Sequence, residues 1–176
     1  MKAKYRVIHE VLQDGDLGVD QTIDQMNRLA QRDSKNEFVV SVTQKLSKIA
    51  KNDVELAQLI CNYVKKNVKY KKDPNGEEHI TAPKWLLSSH ATGDCDCMAT
   101  TVASLCLCAN YFTDYKLKCA FKVIAWDKER GKAFTHIYSL IFCPSIKRYI
   151  PADTVPGTSF GEENSSIFRH KIYKVK

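Results

Sequence analysis

The stretch ATGDCDCMATTVASLCLCAN, residues 91–110, decides how the rest of the chain is read. It holds four of the chain's seven cysteines, Cys95, Cys97, Cys106 and Cys108. Four chemistries compete for them: a metal site, a disulfide framework, core packing, or a nucleophile. After Gly93, residues Met98, Ala99, Val102, Ala103, Leu105, Leu107 and Ala109 leave almost no polar face. That pattern predicts a helix buried on all sides at the centre of a domain. On such a helix Cys95 and Cys106 point the same way but sit about 16 Å apart along the axis, and the same holds for Cys97 and Cys108. Thiolates sharing one zinc ion, with bonds of about 2.3 Å, must lie within roughly 4 Å of each other. The four therefore cannot share an ion on an intact helix, and no CxxC or HxxxH partner stands nearby, so neither a metal nor another cofactor is expected.

An odd cysteine count speaks against a disulfide framework. So does the opening segment MKAKYRVIHEVLQDGD, which lacks the continuous apolar run of a signal peptide, so that a reducing compartment is expected. Cys61, Cys106, Cys108, Cys119 and Cys143 lie in apolar runs and are expected to be small buried hydrophobes. Cys95 differs. It follows Gly93 and Asp94, where a polar loop becomes the helix, so unpaired backbone N–H groups and the positive end of the helix dipole lie close to its sulfur. That setting favours the reactive thiolate, although Asp94 and Asp96 oppose it.

No run of the 176 residues approaches the length of a membrane span, and 44% hydrophobic residues suit a globular chain with a sizeable core. The net charge of +7 would suit an anionic partner, but lysines such as Lys65, Lys66, Lys71, Lys72, Lys171, Lys174 and Lys176 are dispersed in short groups among acidic residues. No recognition motif interleaves them with aromatics, so a solvated basic surface is the simpler reading and a nucleic-acid-binding module remains an alternative without motif support.

Along the chain, KYRVIHEV predicts a strand over residues 4–11 with Tyr5, Val7, His9 and Val11 on one face. Two helices follow, with Ile23, Met26, Leu29 and Ala30, then Val39, Val42, Leu46 and Ile49, at helical spacing. A third helix, DVELAQLICNYVKKNV, has Asp53 as its expected N-cap and Ala57, Ile60, Cys61, Val64 and Val68 on its apolar face. Asp73, Pro74, Asn75 and Gly76 mark a surface turn. Trp85, Leu86 and Leu87 anchor a short helical turn ahead of the cysteine helix. Beyond it, KCAFKVIAWD, FTHIYSLIFC and RYIPAD are rich in aromatic and β-branched residues and read as consecutive antiparallel strands, with FRHKIYKVK as an edge strand. Helices first and a meander afterwards predict an α+β domain.

A cysteine nucleophile needs a base, and that base needs an orienting acceptor. Of the five histidines, His136 alone sits mid-strand in an apolar segment, on the face bearing Phe134, Tyr138, Leu140 and Phe142. A hairpin centred between Pro144 and Ser145 would set Asp153 directly opposite it, within reach of an imidazole to carboxylate hydrogen bond. Taken singly, His136 is more simply a satisfied core histidine and Asp153 a turn cap. Together with Cys95 at a helix start they read as a triad.

GDCDC at 93–97, FTHIY at 134–138 and YIPAD at 149–153 resemble the Cys, His and Asp motifs of the transglutaminase-like superfamily of papain-like folds. The likeness is greatest to compact phage-associated members, in which a GDCDD motif opens the central helix. DQTIDQMNRLAQ, KKNVKYKKDP and APKWLL also look like that pattern, so the resemblance covers roughly residues 15–157. It implies one domain over residues 1–176: an N-terminal strand and helical extension over 1–50, a catalytic-type core over 51–157 and a tail over 158–176. It implies Cys95 as nucleophile, His136 as general base and then acid, Asp153 as orienting acceptor, and acyl transfer or hydrolysis on a protein or peptide substrate. The oxyanion hole would use the Cys95 backbone N–H and a further donor, for which Trp85 is a candidate, with Asp94 and Cys97 lining the site. Cys97 stands where the motif has its final aspartate, and it is open whether it tunes the site, acts as a resolving thiol, or marks relaxed chemistry. The resemblance equally leaves open a non-enzymatic virion or assembly protein meeting phage head or tail neighbours, or a homo-oligomer. The expected location is the host cytoplasm or the virion.

Overall fold

The structure, a computed structural model, describes residues 16–74, 79–89, 92–126, 134–163 and 166–176. The strand expected over residues 4–11 lies outside them, as do Asn75 and Gly76 of the surface turn. Among the described residues the chain runs α1 (Asp16–Asp33), α2 (Glu37–Ile49), α3 (Asp53–Asn67), β1 (Lys69–Tyr70), α4 (Pro83–Ser88), β2 (Thr92–Gly93), α5 (Cys95–Ala109), β3 (Lys118–Ala125), β4 (His136–Cys143), a 3-10 turn (Pro144–Ile146), β5 (Arg148–Ala152) and β6 (Arg169–Lys174). Helices precede an antiparallel sheet, the α+β order that the sequence predicts.

α5 is the axis of the molecule. Met98, Ala99, Val102, Ala103, Leu105, Cys106, Cys108 and Ala109 are all buried, and so are Thr100 and Thr101. Those hydroxyls cost little because each returns its proton to the carbonyl four residues back, Thr100 to Asp96 at 2.7 Å and Thr101 to Cys97 at 2.9 Å. Small side chains let other elements approach closely. α1, α2 and α3 pack on one side of α5 and the sheet on the other, with the Ser139 hydroxyl of β4 donating to the Ala99 carbonyl at 2.9 Å. Ile23, Met26, Leu29, Ala30, Val39 and Leu46 share one core with α5, so the first two helices serve this packing. Ile49, expected on the apolar face of α2, is 60% exposed; it ends the helix, and the buried Thr43 occupies the inner face instead, its hydroxyl satisfied by the Val39 carbonyl at 2.7 Å.

The sheet has the order β5-β4-β3-β6, every neighbouring pair antiparallel. Alternation gives it two faces. Cys119, Phe121, Val123, Ile137, Ile141 and Cys143 turn toward the helices, while Ala120, Ile124, Tyr138 and Leu140 form a second apolar cluster with Trp126 on the other side. β6 lies at the edge, as expected, and its Arg169, His170, Lys171 and Lys174 discourage further strand pairing. Among the described residues no helix is long and apolar enough to cross a membrane.

The start of α3 corrects the sequence reading. Asn52, not Asp53, is the N-cap, its side chain accepting the Glu55 N–H at 2.8 Å. Asp53, one residue further on, is freed for a longer reach. Its buried carboxylate accepts the Val54 N–H at 2.9 Å, the Ser145 N–H at 2.8 Å and the Ser145 hydroxyl, tying α3 to the turn between β4 and β5. Burial alone would push this carboxyl up, but the bonds from Ser145 and Val54 outweigh it and hold it below the ordinary carboxylate value. A depressed carboxyl adds stability that is present above the unfolded value of about 4 and is lost as pH falls through the folded value. Asp53→Asn should therefore cost about 1–3 kcal/mol at pH 7. In denaturant titrations the gap between the two proteins should close as the pH is taken below about 4; a gap independent of pH would contradict this role.

Candidate active site

The chain leaves α3 into β1, which pairs in parallel with β2 so that Lys69 faces Thr92 and Tyr70 faces Gly93. The Lys71 N–H extends the pairing to the Gly93 carbonyl at 3.0 Å. Gly93 is required by proximity: a Cβ there would lie 2.6 Å from the Cys97 Cβ and 3.2 Å from the Leu86 side chain. This pairing fixes the start of α5. Asp94 holds the N-cap position without a side-chain cap bond, and Cys95 is the first helical residue, half-buried.

Cys97 is fully buried, and its place has a structural reason. Its sulfur accepts the Thr81 N–H at 3.1 Å and its thiol faces the His79 carbonyl at 3.2 Å, which fastens the 79–82 segment to α5. Burial, followed by the charges of Asp96 and Asp94, pushes the thiol well above its ordinary value despite the Thr81 bond, so Cys97 stays protonated. Asp94, Asp96 and Cys97 each offer a ligand atom within 4.8 Å of the others, a grouping the sequence reading missed because it asked only whether four cysteines could share an ion. To coordinate there, Cys97 would have to give up the proton that its bond to His79 uses. The remaining cysteines are core residues. Burial pushes Cys61 and Cys143 up to about 12, and the neighbouring Cys119 thiol together with burial pushes Cys106 well above its ordinary value.

His136 begins β4. Its ring stacks on Trp126 at 5.7 Å and 21° and stands 5.8 Å from the Tyr138 ring. Nε2 lies 2.8 Å from Oδ2 of Asp153, and both side chains are more than nine-tenths buried. An ionised carboxylate only accepts, so Nε2 carries the proton and Nδ1 is the ring nitrogen left for chemistry. Asp153 is held from several directions. Its Oδ1 accepts the Val155 N–H at 3.2 Å, and its carbonyl accepts the Thr158 hydroxyl at 2.8 Å and the Cys61 thiol at 3.8 Å. The structure thus joins His136 to Asp153 by a register the sequence reading did not foresee. The expected hairpin pairs residues whose numbers add to 289, whereas Ser139 pairs with Ala152 and Ile141 with Ile150, adding to 291. The 3-10 turn, closed by Lys147 in the left-handed conformation (φ 52°), moves the centre one residue along. Continued past Ala152, this register sets Asp153 across from Tyr138 and diagonal to His136. The shift is even, so the face is kept and the diagonal reach suffices.

An open groove of about 550 Å³ runs along this face. His136, Asp153, Tyr70, Trp126 and Tyr138 line it, with the 155–163 loop as its wall. That wall is tied down by Lys122, buried mid-strand in β3, whose Nζ lies 2.6 Å from Glu163, and by the Tyr138 hydroxyl, which donates to the same carboxylate. Burial raises the Glu163 carboxyl, but Lys122 and Tyr138 outweigh it and hold it down. Neither Lys122 nor Glu163 entered the sequence reading; a lysine alternating with apolar residues in β3 was the available signal. Trp85 lies on α4 beneath the Lys84 ammonium, 5.1 Å from its ring centre, and like Cys95 is not among the residues lining the groove.

Tyr70 relates the two halves. It lines the groove with His136 and Asp153, and its phenol is raised first by burial and then by the negative charges of Cys95, Asp94, Asp96 and Asp153. The start of α5 thus carries Cys95, and the sheet carries the buried His–Asp pair. The family model of the transglutaminase-like superfamily matches residues 40–154, well over half of the chain. The chain belongs to that superfamily, whose chemistry is cysteine-based acyl transfer or hydrolysis. No curated protein and no solved structure matched it.

The contacts of Cys97 separate two substitutions. Serine can donate to His79 and accept from Thr81, so Cys97→Ser should leave the denaturation midpoint nearly unchanged. Cys97→Asp would aim an acceptor at the His79 carbonyl and should cost about 1–3 kcal/mol. Equal effects of the two in a denaturant titration would refute this assignment.

Proposed function

We propose that the protein is a cysteine acyltransferase or hydrolase acting on a peptide or carboxamide bond, with Cys95 as nucleophile, His136 as acid and base through Nδ1, and Asp153 as the acceptor that orients the ring. The observation that carries this reading is the buried 2.8 Å bond between His136 Nε2 and Asp153, facing a groove on the sheet that packs against α5. The pair leaves Nδ1 to exchange a proton with a nucleophile, and Cys95 is the half-buried cysteine at the start of the helix. The likeness of GDCDC to the phage-associated motif supports a protein or peptide substrate, such as a virion neighbour.

In this reading the Cys95 thiolate attacks the carbonyl carbon, a C–S bond forms, and the carbonyl oxygen carries the charge of the tetrahedral intermediate. Collapse breaks the C–N bond, and His136 gives its proton to the departing amine. Water or a second amine then attacks the thioester, losing its proton to His136 while the sulfur leaves as thiolate. First-turn N–H groups of α5 favour negative charge at both sulfur and oxygen.

Alkylation by iodoacetamide at pH 6 tests the activated thiol, because an ordinary thiol is almost wholly protonated there. Peptide mass mapping should find Cys95 modified ahead of the other six cysteines. His136→Ala should slow it at least tenfold and Asp153→Asn less. Modification of Cys95 no faster than a simple thiol, unchanged in His136→Ala, would reject the triad and favour a non-enzymatic assembly role.

A further inference from the structure

An acyl-transfer site needs a second hydrogen-bond donor beside the nucleophile's own N–H, aimed at the oxygen on which charge develops. Such a donor must be neutral, fixed in position, and not already committed to another acceptor. Tyr70 meets each condition. Its backbone is held at both ends of a two-residue ladder, paired with Gly93 and followed by the bond from the Lys71 N–H to the Gly93 carbonyl, two residues before Cys95. Paired strands lie about 4.8 Å apart, so the tyrosine is held beside the start of α5. Tyr70 is 36% exposed and lines the groove with His136 and Asp153, and among the described residues no hydrogen bond engages its hydroxyl. Burial and the anions around it keep the phenol protonated and able to donate at neutral pH. Trp85, by contrast, sits on α4 away from the groove lining.

We infer that the Tyr70 hydroxyl is a catalytic oxyanion donor, completing with the Cys95 N–H the site that holds the tetrahedral intermediate. The inference rests on the acyl-transfer reading above, and two reagents separate the two. Iodoacetamide reacts with Cys95 by displacement at a saturated carbon and creates no oxyanion. p-Nitrophenyl acetate reacts by carbonyl addition: a C–S bond forms, p-nitrophenolate departs with the electron pair of the broken C–O bond, and an acetyl thioester remains on Cys95.

Tyr70→Phe removes only the hydroxyl. It should lower the rate of acetyl-Cys95 formation, followed by p-nitrophenolate release and intact mass, about 100-fold. Alkylation of Cys95 at pH 6 should stay within about twofold and circular dichroism unchanged. Loss of both reactions in parallel would show that Tyr70 acts through the thiol or the fold and would overturn the assignment. So would an unchanged acylation rate. Wild-type acylation no faster than that of Cys95→Ala would instead overturn the acyl-transfer reading, and the inference with it.

Discussion

The arrangement depends on one constraint: α5 has no face in water. A helix buried all round is held by its neighbours on every side, so the direction of its first turn is set by packing and not by the loop that leads into it. Three features make this possible. Alanine, serine, threonine and cysteine keep the helix thin. Thr100 and Thr101 spend their protons on the helix's own carbonyls. The sheet then closes over the remaining side, Ser139 reaching the Ala99 carbonyl from β4. The same strand that completes the burial of the helix begins with His136, so packing and chemistry share one element.

The second support is the junction in front of the helix. Gly93 sits against Cys97 with no room for a side chain, and Cys97 in turn fastens the 79–82 segment. The contacts of Cys97 explain the sulfur: one backbone donor and one backbone acceptor face it, a pair that a thiol satisfies and a carboxylate does not. On the other side of the groove, α3 steadies Asp153 through Cys61 and the 158 carbonyl through Lys65, while Lys122 and Tyr138 anchor Glu163. The His–Asp pair is therefore oriented by a shell of hydrogen bonds from elements far apart in sequence.

Much of this was legible in the chain itself, because local pattern determines it. The unbroken apolar surface of residues 98–109 revealed the central helix, and alternation in residues 134–143 placed His136 on one face with Tyr138 and Leu140. What pattern could not provide was whatever depends on turn geometry or on contacts between distant segments. Alternation fixes a face but not a register, so a left-handed Lys147 shifted the hairpin by two paired residues while leaving His136 and Asp153 able to meet. Asp53 looked like a cap because an acidic residue precedes an apolar run, yet Asn52 caps the helix and Asp53 reaches Ser145, ninety-two residues away. Tyr70 gave no local signal, since it owes its position to a two-residue parallel ladder, and Lys122 gave only that of a lysine among apolar residues, its partner Glu163 lying on a loop folded back over the sheet.

The central claim is that Cys95 and His136 form one chemical unit. Nitrogen NMR of the imidazole, with the protein labelled at histidine, measures this directly by comparing His136 in the wild type and in Cys95→Ala. Removal of the thiol should move the Nδ1 resonance of His136, with Nε2 remaining the protonated nitrogen of the neutral ring. His136 resonances that are the same in both proteins would contradict the account.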